Sequence, residues 1–151
     1  MSAASGGTSD PQSLAEACAR SLFAEDRASK GLGMVVETVA PGHAVLRMEV
    51  REDMTNGHGI CHGGFIFMLA DSAFAFACNT YNRVTVAQAA KIDFIRPAAR
   101  GDILRAQARE ISRGGRSGLF DVEVRRADGT LVACFRGNSH SSDKPLLEDP
   151  A

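Results

Sequence analysis

The chain has 151 residues, enough for one domain with its own core. Hydrophobic residues make up 44%, charged residues 23%, and the net charge is −1. That balance excludes the broad basic field of a nucleic-acid or membrane-surface binder, so any anion site must be local.

Residues 1–10 are small and polar and are expected to form a disordered tail. They lack the basic start and apolar core of a signal peptide. A single helix is expected over 11–30. Asp10 is its candidate N-cap, Pro11 suits the first helical position, and Leu14, Ala17, Cys18, Ser21 and Leu22 recur at three- and four-residue steps. Gly31 and Gly33 end it. A β-hairpin follows. Residues 34–39 are β-branched, Pro41-Gly42 is turn chemistry, and Ala44, Leu46, Met48 and Val50 alternate with Val45, Arg47 and Glu49.

The loop Asn56-Gly57-His58-Gly59-Ile60-Cys61-His62-Gly63-Gly64 then runs into a helix, residues 65–78, that is apolar on every face except at Asp71. A helix apolar all round is a buried one, and the charge keeps it from reading as a bilayer span. Four strands are expected after it, over 84–95, 103–111, 119–126 and 131–140, with Asp128-Gly129 as a hairpin turn before the last. Residues 141–151 are polar and expected to be a flexible tail. The order gives an α+β class, a single domain over 11–140 with an antiparallel sheet around one helix. Such a sheet ends in an edge strand, which invites a second copy of the chain. Cys18, Cys61, Cys78 and Cys134 form no CxxC pair and read as reduced thiols of a cytoplasmic protein.

Asp71 has only Phe67, Met68, Phe74 and Ala75 as its helical neighbours. A desolvated carboxylate is the setting of a general base or nucleophile; its structural alternative is pairing with a polar group in the core. Gly63-Gly64 opens the helix, where backbone N–H groups have no intrahelical partner. The helix dipole and the missing Cβ atoms suit an oxyanion hole, although glycines there also permit a tight turn. Gly63 and Asp71 are eight residues apart, roughly 12 Å along one helix. No single carbonyl reaches both, so joint action on one bond needs the carboxylate of a second subunit across a twofold axis.

His58 and His62 have the spacing of a metal pair but lack the Glu of HExxH, so no metal is expected and His62 reads as fixing the loop. Ser72 and Ser117 lack a GxSxG frame. Asn56 suits a water or substrate oxygen, or a turn. Arg96, Arg113 and Arg116 flank strand ends and suit phosphates, or remain solvated surface charge.

The string Asn56-x-x-Gly59-x-x-His62-Gly63-Gly64, followed by Leu69-Ala70-Asp71-Ser72-Ala73, resembles the hotdog-fold acyl-CoA thioesterases, above all their phenylacetic-acid-degradation (PaaI-like) branch. Lys91-Ile92-Asp93-Phe94-Ile95-Arg96-Pro97 and Gly101-Asp102 continue the likeness, which spans about Gly31 to His140. The resemblance implies a long central helix wrapped by a curved antiparallel sheet. It implies a homodimer with two shared sites, often paired into a homotetramer. The reaction it implies is thioester hydrolysis with no metal or cofactor, CoA being part of the acyl-CoA substrate.

In this sequence the resemblance makes Asp71 the base or nucleophile and Gly63 the N–H that polarises the thioester carbonyl. Asn56 falls near the lytic water or the thioester, and His62 fixes the loop beside Gly64. Phe67, Met68 and Phe74 line or border the acyl pocket, or else pack the core. Arg96 and Arg113-Gly114-Gly115-Arg116 are the basic strand ends for the CoA nucleotide. Some relatives carry a Ser or Thr facing the carboxylate; Ala89 aligns there, leaving Gln88 or Thr85 as substitutes. Phenylacetyl-CoA or its hydroxylated relatives are the expected substrates. Two rivals fit the same fold. A non-hydrolytic acyl-CoA sensor needs no desolvated carboxylate. A hydratase or dehydratase needs a His–acid pair on the acyl α and β carbons, but His62 precedes the helix that holds Asp71.

Overall fold

The Asp10 carboxylate accepts the Ser13 N–H at 3.1 Å and Pro11 takes the first turn. These two residues start α1, Pro11–Glu25, in the computed structural model, which describes residues 10–148. The expected tail over residues 1–9 lies outside the described residues.

The single helix expected over 11–30 is two helices. Asp26 leaves helical geometry and accepts the Ser29 N–H at 2.9 Å, capping α2, Arg27–Gly31. Asp is a better cap than helix interior, and a tertiary contact reinforces the break. The Ser29 hydroxyl donates to Asp26 at 2.6 Å and shares a buried 2.9 Å hydrogen bond with Ser72. The short helix is thereby tied to the residue that follows Asp71.

The sheet has six strands: β1 Val35–Ala40, β2 His43–Glu49, β3 Thr85–Phe94, β4 Ile103–Gly114, β5 Ser117–Arg126 and β6 Leu131–Ser141. Their order is β1-β2-β4-β5-β6-β3, antiparallel throughout. The period-two pattern decides the faces as expected, burying Leu104, Ala106 and Ala108 of β4 and Phe120, Val122 and Val124 of β5. The central helix α3, Gly63–Cys78, contacts all six strands. Among the described residues, no helix is long and apolar enough to cross a membrane.

The Phe74 ring packs on Phe120 and Phe135, with ring centroids 5.5 and 5.8 Å away. It also lies flat on Gly137 of β6, where a Cβ would come within 2.8 Å of the ring. Helix and sheet approach this closely only because residue 137 has no side chain.

The helix is not buried all round, as its composition implied. Gly64, Phe67, Met68, Asp71 and Ala75 form a stripe that stays open or half-open. The two sheet edges also differ. Edge strand β1 packs against α1, and the Gln12 amide donates to the Val39 carbonyl at 2.7 Å. Edge strand β3 has no outer neighbour among the described residues and is exposed along most of its length. A bulge shifts its register between Ala87 and Ala89, so Gln88 falls outside the ladder.

The flexible tail expected from residue 141 is corrected over its described part. Ser142 N–H donates to Val84 O and Val84 N–H to Lys144 O, both at 2.9 Å. Leu147 N–H donates to Asn82 Oδ1 at 2.8 Å. These bonds pin the segment beside the start of β3.

Asn79 closes α3. Buried to 5% exposure, it donates to Ala75 O at 2.8 Å and Thr85 O at 2.9 Å, and accepts the Thr85 N–H at 2.9 Å. Asn79→Ala is expected to lower stability by about 3 kcal/mol, because it strands buried backbone groups of Thr85. The urea midpoint of the variant measures this, and an unchanged midpoint would contradict it.

Candidate active site

The glycine-rich loop is closed by its own backbone. Asn56 N–H donates to Ile60 O at 2.8 Å, Gly59 N–H to Asn56 O at 2.9 Å, and Cys61 N–H to Ala98 O at 2.8 Å. Gly59 sits at φ 78°, which favours glycine there. The Asn56 side-chain oxygen accepts the His58 N–H at 2.9 Å, as a turn residue does. Its amide nitrogen has no partner among the described residues and is left as a donor.

His62 is the N-cap of α3, and its Nδ1 accepts the Gly64 N–H at 2.9 Å. The two glycines are therefore not equivalent. Gly64 N–H is satisfied, whereas Gly63 N–H makes no hydrogen bond among the described residues. A free N–H at a helix N-terminus is suited to a developing negative charge.

Gly63 opens onto a cavity of about 460 Å³, lined by Asn56, Ile60, Ile66, Phe94 and Arg96 among others. Cys61 also borders it, but burial pushes that thiol up to about 11, so it is no thiolate nucleophile at neutral pH. The Arg96 guanidinium bonds only to the Ile95 carbonyl, at 2.9 Å, among the described residues. Neither Ile60 nor Phe94 was picked out from the sequence as a site residue. The available signal was their position, as large apolar residues beside Gly63 and just before Pro97.

Arg113 and Arg116 are not brought into this cavity. The Arg113 guanidinium lies 3.4 Å from the centroid of the Tyr81 ring and pairs with Glu110 at 3.4 Å. Arg116 is held by Asp143 at 2.6 Å. Gly114 lies with them at the β4–β5 turn.

Asp71 is on the half-open stripe of α3, and its carboxylate has no hydrogen bond among the described residues. Burial raises its carboxyl above the ordinary value. It does not line the Gly63 cavity, in keeping with the helical spacing. Met68 is half-buried beside it, and Phe67 packs edge-on against Phe135 at 5.4 Å. The expectation that Phe74 borders an acyl pocket is corrected, because Phe74 is 1% exposed among core rings. Thr85 is also committed elsewhere, its hydroxyl bonding Arg83 O and the Ser141 hydroxyl, each at 2.9 Å. Ala89 pairs with Asn138, which leaves Gln88 at the bulge. Among the described residues, no three His, Cys, Asp or Glu side chains converge on a possible metal position.

A family model described as the thioesterase superfamily matches residues 58–133. The chain is 43% identical to the acyl-coenzyme A thioesterase PaaI of Escherichia coli (strain K12), over 81% of this chain and 87% of that one. The solved structure of the E. coli PaaI protein from the phenylacetic acid degradation operon superposes with a TM-score of 0.89 at 39% identity. It covers 90% of this chain and 99% of its own. A mutant structure of the phenylacetic acid degradation protein PaaI from Thermus thermophilus gives a TM-score of 0.74 at 42% identity, over 76% and 98%.

Proposed function

The chain belongs to the thioesterase superfamily, as a PaaI-like hotdog-fold acyl-CoA thioesterase, and from that premise we propose that it hydrolyses arylacetyl-CoA at sites shared between two protomers. Phenylacetyl-CoA and its hydroxylated relatives are the substrates. Water adds to the thioester carbonyl, the C–S bond breaks, and free acid and CoA thiol leave. No metal or cofactor takes part.

The free N–H of Gly63, at the N-terminus of α3 and facing an apolar cavity, carries this reading. It donates to the carbonyl oxygen and stabilises the oxyanion that forms. The unpaired Asn56 amide lies in the same cavity, placed to hold that oxygen or the attacking water. Asp71 of the second protomer deprotonates the water or attacks the carbonyl itself. Its raised pKa strengthens it as a base.

Two features support a shared site. The bare β3 edge offers ten residues to an antiparallel copy of itself. The half-open stripe of α3 needs covering, and it holds Phe67 and Met68 beside Asp71. A twofold axis that joins the β3 edges can set the two α3 helices antiparallel, bringing each Asp71 toward the other's Gly63. Pairing of two such dimers gives a tetramer. Arg96 is the best-placed cation for the CoA phosphates, with the Arg113–Arg116 turn of either protomer as a second contact. The site is taken to be cytoplasmic, where acyl-CoA is made and used.

A panel of acetyl-, hexanoyl-, phenylacetyl- and hydroxyphenylacetyl-CoA, followed by release of free thiol, tests the reading. Turnover highest with the aryl substrates is expected. Binding without thiol release would favour a sensor, and water addition to an enoyl-CoA with its thioester intact would favour a hydratase.

A further inference from the structure

Six large hydrophobic residues are exposed among the described residues, and three of them, Ile60, Phe94 and Ile95, gather around the Gly63 cavity. Phe94 is the most open of the three, at 54%. It ends β3 two residues after Ile92, which packs against the core, so both side chains take the helix-facing side of the strand. At Phe94 there is no core left to fill, and the ring reaches the start of α3 instead. A Cβ built on Gly63 would lie 2.9, 3.2 and 3.5 Å from Cζ, Cε1 and Cε2 of that ring. The ring thus rests against the residue whose N–H is free, while more than half of the side chain stays open.

That placement constrains whatever binds. An oxygen held by Gly63 N–H sits at about 2.9 Å, so the acyl carbon is one bond further and the first carbons of the acyl group lie beside it.

We infer that Phe94 forms one wall of the acyl site and sets the enzyme's preference for aryl over alkyl acyl groups by packing against the substrate ring. Ile60, Ile95 and Pro97 complete an apolar surround. The glycine at 63 then has a second use, since it admits the Phe94 ring as well as presenting its N–H. This inference rests on the thioesterase reading above.

The test compares kcat/KM for phenylacetyl-CoA and acetyl-CoA in wild type, Phe94→Ala, Phe94→Leu and Phe94→Tyr, together with the oligomeric state of each. The phenylacetyl-to-acetyl ratio should fall about tenfold in Phe94→Ala and Phe94→Leu, and stay within about twofold of wild type in Phe94→Tyr. The oligomeric state should not change. An unchanged or increased ratio in Phe94→Ala overturns the inference. So does a shift in subunit association with the ratio intact, which would make Phe94 a packing residue. A wild type that releases no CoA from any thioester would instead overturn the proposed function.

Discussion

Asp71→Asn is expected to lower kcat for thioester hydrolysis by about 10²- to 10⁴-fold, the usual worth of a positioned base, while making the fold more stable at neutral pH. Both effects have one cause. Burial without a hydrogen-bond donor raises the Asp71 carboxyl from its ordinary 3.8. In the unfolded chain it ionises at the ordinary value. The folded state therefore holds this proton more tightly than the unfolded state does. The associated stability is fully present below the unfolded pKa and is lost as pH rises through the folded pKa. At pH 7 the wild type carries a poorly solvated charge that Asn lacks.

Thermal melts should place the variant above wild type at pH 7, and the gap should close at a pH below 3.8. In wild type the acid limb of kcat/KM should be shifted upward from the ordinary aspartate value. A variant with undiminished turnover would remove Asp71 from the mechanism, whatever its melting point.

Gly63→Pro is expected to lower kcat by about 10²- to 10³-fold, the range measured for loss of one oxyanion donor. The first position of a helix is where proline is best tolerated. His62, at φ −61° and ψ 134°, already has the extended geometry that a residue before proline needs. The substitution removes the N–H and leaves the helix start intact. Gly63→Ala is the control, because it keeps the N–H and adds the same Cβ against Phe94. The gap in kcat between the two variants isolates the donor.

Mixing the subunits tests whether the site is shared. Equal amounts of Asp71→Asn and Gly63→Pro protein, allowed to exchange, place one intact site in each mixed dimer. About a quarter of wild-type activity should return from two inactive preparations. No recovery, with exchange confirmed, would mean that each chain acts alone.

Much of this was legible in the chain because certain residues break their local pattern. A carboxylate in an apolar helix and two glycines where a helix begins both stand out against the rules for helices, and both belong to the proposed site. The alternation of Leu104, Ala106 and Ala108 with Arg105, Gln107 and Arg109 states the faces of β4 outright. What stayed hidden depends on residues distant in sequence. The helix expected over 11–30 has no glycine or proline at Asp26 to announce a break, and the break there is reinforced by Ser72, 43 residues beyond Ser29. Arg113 reads as a free surface cation until Tyr81 folds beneath it. Composition made the segment from residue 141 look loose, although backbone bonds to Val84 hold Ser142 and Lys144. Phe94 reads as an ordinary strand hydrophobe, because nothing local says that its ring meets Gly63.

The unequal dressing of the two sheet edges bears on how many copies the proposed assembly can join. A ribbon bare at both margins has a place for another neighbour after each addition, and nothing in its geometry stops growth. Here α1 and the Gln12 amide occupy one margin. Among the described residues β3 is the edge with no element packed along it, and a margin that pairs with its own copy is used up in the act. In the shared-site assembly proposed above, addition along the sheet would terminate at two, with no need for a concentration limit or a chaperone to stop it.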